Sequence, residues 1–189
     1  MARALTTHVG SLPRPDELVA LNAEAVQALA EGRSVDEAAR AERLRQAVTD
    51  VAQRQRAIGI DIINDGEFGK ATRAAIDYGA WQSYAYERLS GWEPGPGVVP
   101  PPSTDLDLGR AVPHAVGQRK ERHLARFADF YRELAQTTPT SLQLVFSGRI
   151  SYRGQALLER DLANLRTAVA ACGASNAEAF MTAVALETL

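Results

Sequence analysis

The 189-residue chain has one cysteine, three histidines, two tryptophans and two methionines. A lone Cys172 excludes an internal disulfide framework and a thiolate metal cage built by this chain by itself. The histidines, His8, His114 and His123, show no metal-ligand spacing, with or without Cys172. An excess of one charge is also lacking. Lys and Arg number 21 against 23 Asp and Glu, a net charge of −2, so no global field draws the chain to nucleic acid or to an anionic membrane. No apolar run approaches the roughly 20 residues of a membrane span. Met1-Ala2-Arg3 leads into polar residues rather than the apolar core of a signal peptide, so a cytoplasmic location is expected. What remains, 46% apolar and 23% charged, is ordinary globular composition in a length suited to one core.

The most informative stretch is Gly59-Ile60-Asp61-Ile62-Ile63-Asn64-Asp65-Gly66-Glu67-Phe68-Gly69-Lys70. A short isoleucine-rich run after a long helical pattern reads as a buried parallel strand. Its C-terminal end delivers Asn64, Asp65 and Glu67, with Gly66 and Gly69 letting the backbone turn. Ligands of α/β folds sit at such carboxyl ends of strands. A second polar strand end comes earlier: Ala4–Val9 is β-leaning and stops at Gly10-Ser11-Leu12-Pro13-Arg14-Pro15, which leaves His8, Ser11 and Arg14 at or just past its end.

Between these two strands lie two helices. One is capped at Asp16, carries Leu18, Leu21, Ala25 and Leu29, and closes at Gly32. The other opens on the capping box Ser34-Val35-Asp36-Glu37, with Leu44, Val48, Val51 and Ile58 on one face. Ala74–Leu89 looks helical. Nine prolines are present, and those at 94, 96, 100, 101 and 102 mark an excursion at about 91–117. A helix from about Gln118 to Gln136 follows. Leu142–Phe146 reads as a third strand, ending at Ser147-Gly148-Arg149-Ile150-Ser151-Tyr152-Arg153-Gly154. Leu157, Leu158, Leu162, Leu165 and Val169 mark another helix, and Phe180–Leu186 a fourth strand. Strands separated by helical crossovers favour a parallel sheet, with His8/Ser11/Arg14, Asp65/Glu67 and Arg149/Tyr152/Arg153 around one mouth.

Thr6-Thr7-His8-Val9-Gly10-Ser11-Leu12-Pro13-Arg14, Gly59 to Glu67 and Ser147 to Gly154 resemble, in that order, the N-terminal part of the cobalamin-independent methionine synthase-like family. That family shares a TIM-barrel superfamily with uroporphyrinogen decarboxylase. The likeness is closest to its short single-barrel members, which include epoxyalkane:coenzyme M transferase-like proteins. The resemblance implies an α/β fold, a partial (β/α)8 barrel of about the first four strands with their helices. It also implies zinc-dependent transfer of a methyl or alkyl group to a thiol, without cobalamin, as from 5-methyltetrahydrofolate to homocysteine. By that likeness Val9, Gly10 and Ser11 hold the substrate carboxylate and Glu67 its ammonium group, and His8, Asp65 and Tyr152 are expected to bind substrate with them. The family commonly has proline where Arg149 stands.

The family's zinc ligands (His, Cys, an acid and a second Cys) lie in the later half of the barrel, which is not found in this sequence. The chain is therefore expected to be an N-terminal half, inactive alone, with open sheet edges that favour self-association or a complementary half-barrel. Two other readings compete. One is a self-contained metal-dependent hydrolase or decarboxylase on a small α/β fold that uses His8, Asp65 and Glu67. The other is a non-catalytic interaction module that makes contact through the proline-rich loop.

Overall fold

In the computed structural model the described residues are 4–73, 79–99, 126–137, 141–173 and 179–183. Helix α1 spans Asp16–Ala30 and α2 spans Glu37–Ala57. On α1 the buried stripe is Leu18, Asn22, Ala25 and Ala28, so Leu29 faces solvent. Asp16 is the first residue of this helix rather than its cap; the cap position is Pro15. On α2 the cap is Asp36, which accepts the Ala39 amide at 2.9 Å, rather than Ser34. A carboxylate beside the first turn both satisfies an orphan amide and suits the positive end of the helix. The buried face of α2 carries Leu44, Ala47, Val48, Ala52 and Gln55, whereas Ile58 is 72% exposed.

Strand β1 is short, Ile63–Asn64, and pairs in parallel with β4, Ala179–Phe180. On its other side a parallel bridge joins Thr7 to Ile62, and the Thr6 carbonyl accepts the amides of Asp61 and Ile62 at 3.1 and 3.0 Å. Three chain segments therefore run side by side in parallel, in the order N-terminal segment, β1, β4. The Thr6 hydroxyl and amide both donate to Asp61 Oδ2, at 3.0 and 2.9 Å, and pin the start of this register.

The region expected to supply a third parallel strand does something else. After α3, Gly79–Tyr86, the chain forms β2, Leu89–Val99. Helix α4, Ala128–Thr137, precedes β3, Ser141–Tyr152, and β2 and β3 pair antiparallel as a two-stranded ribbon. Leu142–Phe146 thus belongs to the ribbon and not to the parallel set. Pro94 and Pro96 are tolerated in β2 because both strands of a two-stranded ribbon are edges. Register shifts fall at Ser90/Trp92, around Gly91, and at Pro94/Val98, which takes in Pro96. Residues 100–117, the rest of the proline-rich excursion, lie outside the described residues, as do 74–78 and 118–125 of the expected helices.

Helix α5, Gln155–Ala171, packs on α2. The core gathers Leu18, Leu44, Ala47, Val48, Ala52, Ile63, Phe68 and Ala168, with Leu12, Val51, Ile60, Val169 and Cys172 at its margin. Small residues at Ala47, Ala52 and Ala168 let α2 and α5 approach closely. The architecture is mixed α/β, with five helices and two small sheets among the described residues, and no barrel closes among them. No described helix is long and apolar enough to cross a membrane.

Truncating Leu18 to Ala removes a fully buried side chain and is expected to destabilise the fold by about 2–5 kcal/mol in urea denaturation. Ile58→Ser, equally drastic in polarity but at an exposed position, is expected to stay within about 0.5 kcal/mol of the parent.

Candidate functional site

Polar side chains concentrate where the three parallel segments end. Asn64 is buried and fully employed: its Nδ2 donates to the His8 carbonyl at 2.5 Å, and its Oδ1 accepts the Gly66 amide at 2.8 Å. Gln55 reaches from α2 to serve the Asn64 backbone, donating to its carbonyl at 2.8 Å and accepting its amide at 3.2 Å. A side-chain amide thus supplies what a neighbouring strand would otherwise supply. The Asp65 carboxylate accepts the Glu67 amide at 3.0 Å, and the Leu12 amide donates to the Gly66 carbonyl at 3.1 Å. These bonds lock the first two segments together just past their ends.

The turn that results is unusual. Gly66 and Glu67 both have left-handed backbones, with φ of 63° and 62°, and Glu67 is the one non-glycine residue so placed among the described residues. Such a conformation costs on the order of 1 kcal/mol for a residue with a Cβ and persists only where the surroundings over-determine it. The surroundings do so here. The Ser11 hydroxyl donates to Glu67 Oε2 at 2.5 Å, and the Thr182 hydroxyl donates to Oε1 at 2.7 Å. Lys70 Nζ lies 3.6 Å from Oε1 and donates to Thr182 Oγ1 at 3.1 Å. Arg14 Nη2 donates to the Glu67 backbone carbonyl at 2.5 Å. Glu67 and Lys70 are each only 3% exposed at the side chain.

Charge states follow from this packing. Burial pushes the Glu67 carboxyl up, but donors from Ser11, Thr182 and Lys70 outweigh it and hold the group below the usual glutamate value of 4.5. Asp65 goes the other way: burial, joined by repulsion from Asp161 and Glu67, raises it against the Glu67 amide and Lys70. Lys70 is lowered by burial and by Arg14, with Glu67 and Asp65 opposing.

A second buried polar group adjoins the first. The Tyr84 ring lies under the Arg88 guanidinium, 3.4 Å from its carbon, and 5.1 Å from Lys70 Nζ. Arg88 pairs with buried Asp161 at 2.7 Å, and Arg160 pairs with the other Asp161 oxygen at 2.8 Å. The Tyr84 hydroxyl donates to Asp161 at 3.4 Å, and burial pushes its pKa up to about 12. Gly69 leaves room for this carboxylate, since a Cβ there would stand 3.3 Å from it. One polar chain therefore runs from Ser11 through Glu67, Thr182, Lys70 and Tyr84 to Arg88 and Asp161.

Of the expected site residues, Ser11 and Glu67 meet directly, and Gly10 and Val9 lead into Ser11. Val9 is 71% exposed, and the amides of Val9, Gly10 and Ser11 make no hydrogen bond among the described residues. His8 lies at the end of its segment with a buried Nε2 that has no hydrogen-bond partner among the described residues. Asp65 shapes the turn. Tyr152 does not join this group: it lies on β3 opposite Leu89, 54% exposed, because its strand belongs to the ribbon. The place expected for the third corner is taken by Thr182, two residues past β4. Its single hydroxyl had no local signal; only the pairing of Ile63 with Ala179 reveals it.

No protein family, curated protein or solved structure matches this chain.

Removing the Thr182 hydroxyl with Thr182→Val takes a donor from Glu67 and an acceptor from Lys70, and is expected to cost about 1–3 kcal/mol in urea denaturation at neutral pH. The acid side has a definite sign. Glu67 is deprotonated more readily in the folded chain than in the unfolded one, so the unfolded chain takes up the proton first. The stability from this contact is present above 4.5 and is lost as pH falls from there through the folded pKa. Glu67→Gln is expected to flatten that acid limb in a pH series of unfolding midpoints.

Proposed function

We propose that the parallel segments are the opening arc of a methionine synthase-like barrel, and that the turn from Val9 to Ser11 with Glu67 binds a small thiol substrate. The observation that carries the reading is the Ser11–Glu67 hydrogen bond, formed between residues 56 apart in sequence at the ends of adjacent parallel segments. It unites the first two of the three motifs on which the family resemblance rests, the third lying in the β2–β3 ribbon. In this reading the amides of Val9, Gly10 and Ser11, which bond nothing among the described residues, take the acid group of the substrate, and Glu67 fixes the turn that presents them. The N-terminal segment, β1 and β4 are then consecutive barrel strands, and the β2–β3 ribbon is an insertion in the crossover between the second and third.

Zinc, which in that family activates the thiol, finds no ligand group among the described residues. No three His, Cys, Asp or Glu side chains converge among the described residues. Cys172 sits at the C-cap of α5 against the core, its thiol pKa raised by burial. No step is assigned to a metal on this chain, and the same finding leaves the metal-dependent hydrolase reading without a three-ligand group there. His114 and His123 lie outside the described residues. Transfer chemistry, on this account, needs metal ligands from beyond the described residues, as from a complementary half-barrel, with a methyl donor such as 5-methyltetrahydrofolate bound across the two. The edges of the N-terminal segment and β4 that no described strand covers are where such a half, or a second copy, would pair.

Ligand-observed NMR with small thiol acids tests the site. The chain is expected to bind them, and Ser11→Ala and Glu67→Gln to weaken binding about ten-fold, equivalent to about 1.4 kcal/mol; unchanged binding in both variants contradicts the assignment. Light scattering after size exclusion is expected to give a mass above the 20.4 kDa of a monomer.

A further inference from the structure

The resemblance assigns Glu67 to a substrate ammonium group, but the chain already supplies one. Lys70 Nζ stands 3.6 Å from Glu67 Oε1, donates to the Thr182 hydroxyl that itself bonds Oε1, and faces the Tyr84 ring at 5.1 Å. Carboxylate, hydroxyl and aromatic face together hold a cation as a ligand site would. The other Glu67 oxygen receives the Ser11 hydroxyl proton. Both oxygens are thus engaged, and the side chain is almost wholly out of solvent. A substrate ammonium drawn to Glu67 would displace Ser11 or enter beside Lys70, where two like charges would repel strongly in a buried setting. What remains for a ligand is of the opposite kind: the consecutive Val9, Gly10 and Ser11 amides, donors with no acceptor among the described residues.

We infer that Lys70, held in place by Thr182, is the specificity-determining residue of this site: it stands in for the ammonium group of an amino acid, so the ligand is a small acid without one. The inference rests on the reading of the site as one for thiol acids and narrows it. Lys70 is a positioning and selecting residue here, acting through the charge it places at Glu67.

The test is a matched pair, homocysteine and its deaminated analogue γ-mercaptobutyrate, titrated into the full chain under reducing conditions at neutral pH. The analogue is expected to bind about ten-fold or more tightly than homocysteine. Equal or tighter binding of homocysteine overturns the inference and leaves the thiol-acid reading standing. If neither binds at millimolar concentration, that reading fails, and the inference with it. Lys70→Met vacates the cation position and is expected to reverse the order toward homocysteine, whereas Lys70→Arg keeps the parent order. A folded Lys70→Met that retains the parent order contradicts the role given to the lysine. Should Lys70→Met fail to fold, the parent and Lys70→Arg measurements decide.

Discussion

A buried carboxylate organises this molecule. Glu67 sits in a left-handed turn that a non-glycine residue adopts only under constraint, and the constraint comes from three separated pieces of chain. Ser11 and Arg14 arrive from the N-terminal segment, Lys70 from the same turn, and Thr182 from beyond β4. A buried charge that lost any of these donors would carry an unpaid desolvation cost, so each contact ties its own segment to the others. The parallel segments are short and contribute few ladder bonds. Their mutual placement therefore depends as much on this junction, and on Asn64 and Gln55, as on strand pairing.

The apolar core and the polar chain divide the work. Leu18, Val48, Ile63 and Phe68 bury the face between α1, α2 and β1, while α5 closes over it with Ala168 and Val169. On the same face of α5, Asp161 and Asn164 are buried, and Asp161 answers two arginines. Tyr84 joins the two halves of the polar chain, since its ring lies near both Lys70 and Arg88. Replacing such a network piecemeal leaves orphaned charge, so its members act as a unit. The Asn22 side chain extends the support by holding the Thr72 carbonyl at 3.0 Å, which fixes the segment just after Lys70.

Much of this was legible in the residues. Periodicity located α1, α2 and α5, and the polar run from Asn64 to Lys70 marked the turn, because glycines and acids after a β-branched run have few other uses. The pairing of that turn with Ser11 followed from treating both as ends of parallel strands. Other features were hidden for physical reasons. Leu142–Phe146 has the composition of any strand, and nothing local distinguishes a ribbon partner for β2 from a member of a parallel sheet. Asp161 lies within an apolar helical stripe where leucines dominate the pattern, and its burial depends on Arg88, 73 residues away. Thr182 carries no signal at all until β4 is seated beside β1.

The measurement that bears most directly on this account is a carboxyl ¹³C NMR titration of Glu67. Held by hydroxyls from Ser11 and Thr182 and by the Lys70 ammonium, Glu67 is predicted to titrate below 4.5 in the folded chain. A midpoint at or above 4.5 in the folded chain would show that these three segments do not meet at Glu67, and would contradict the account.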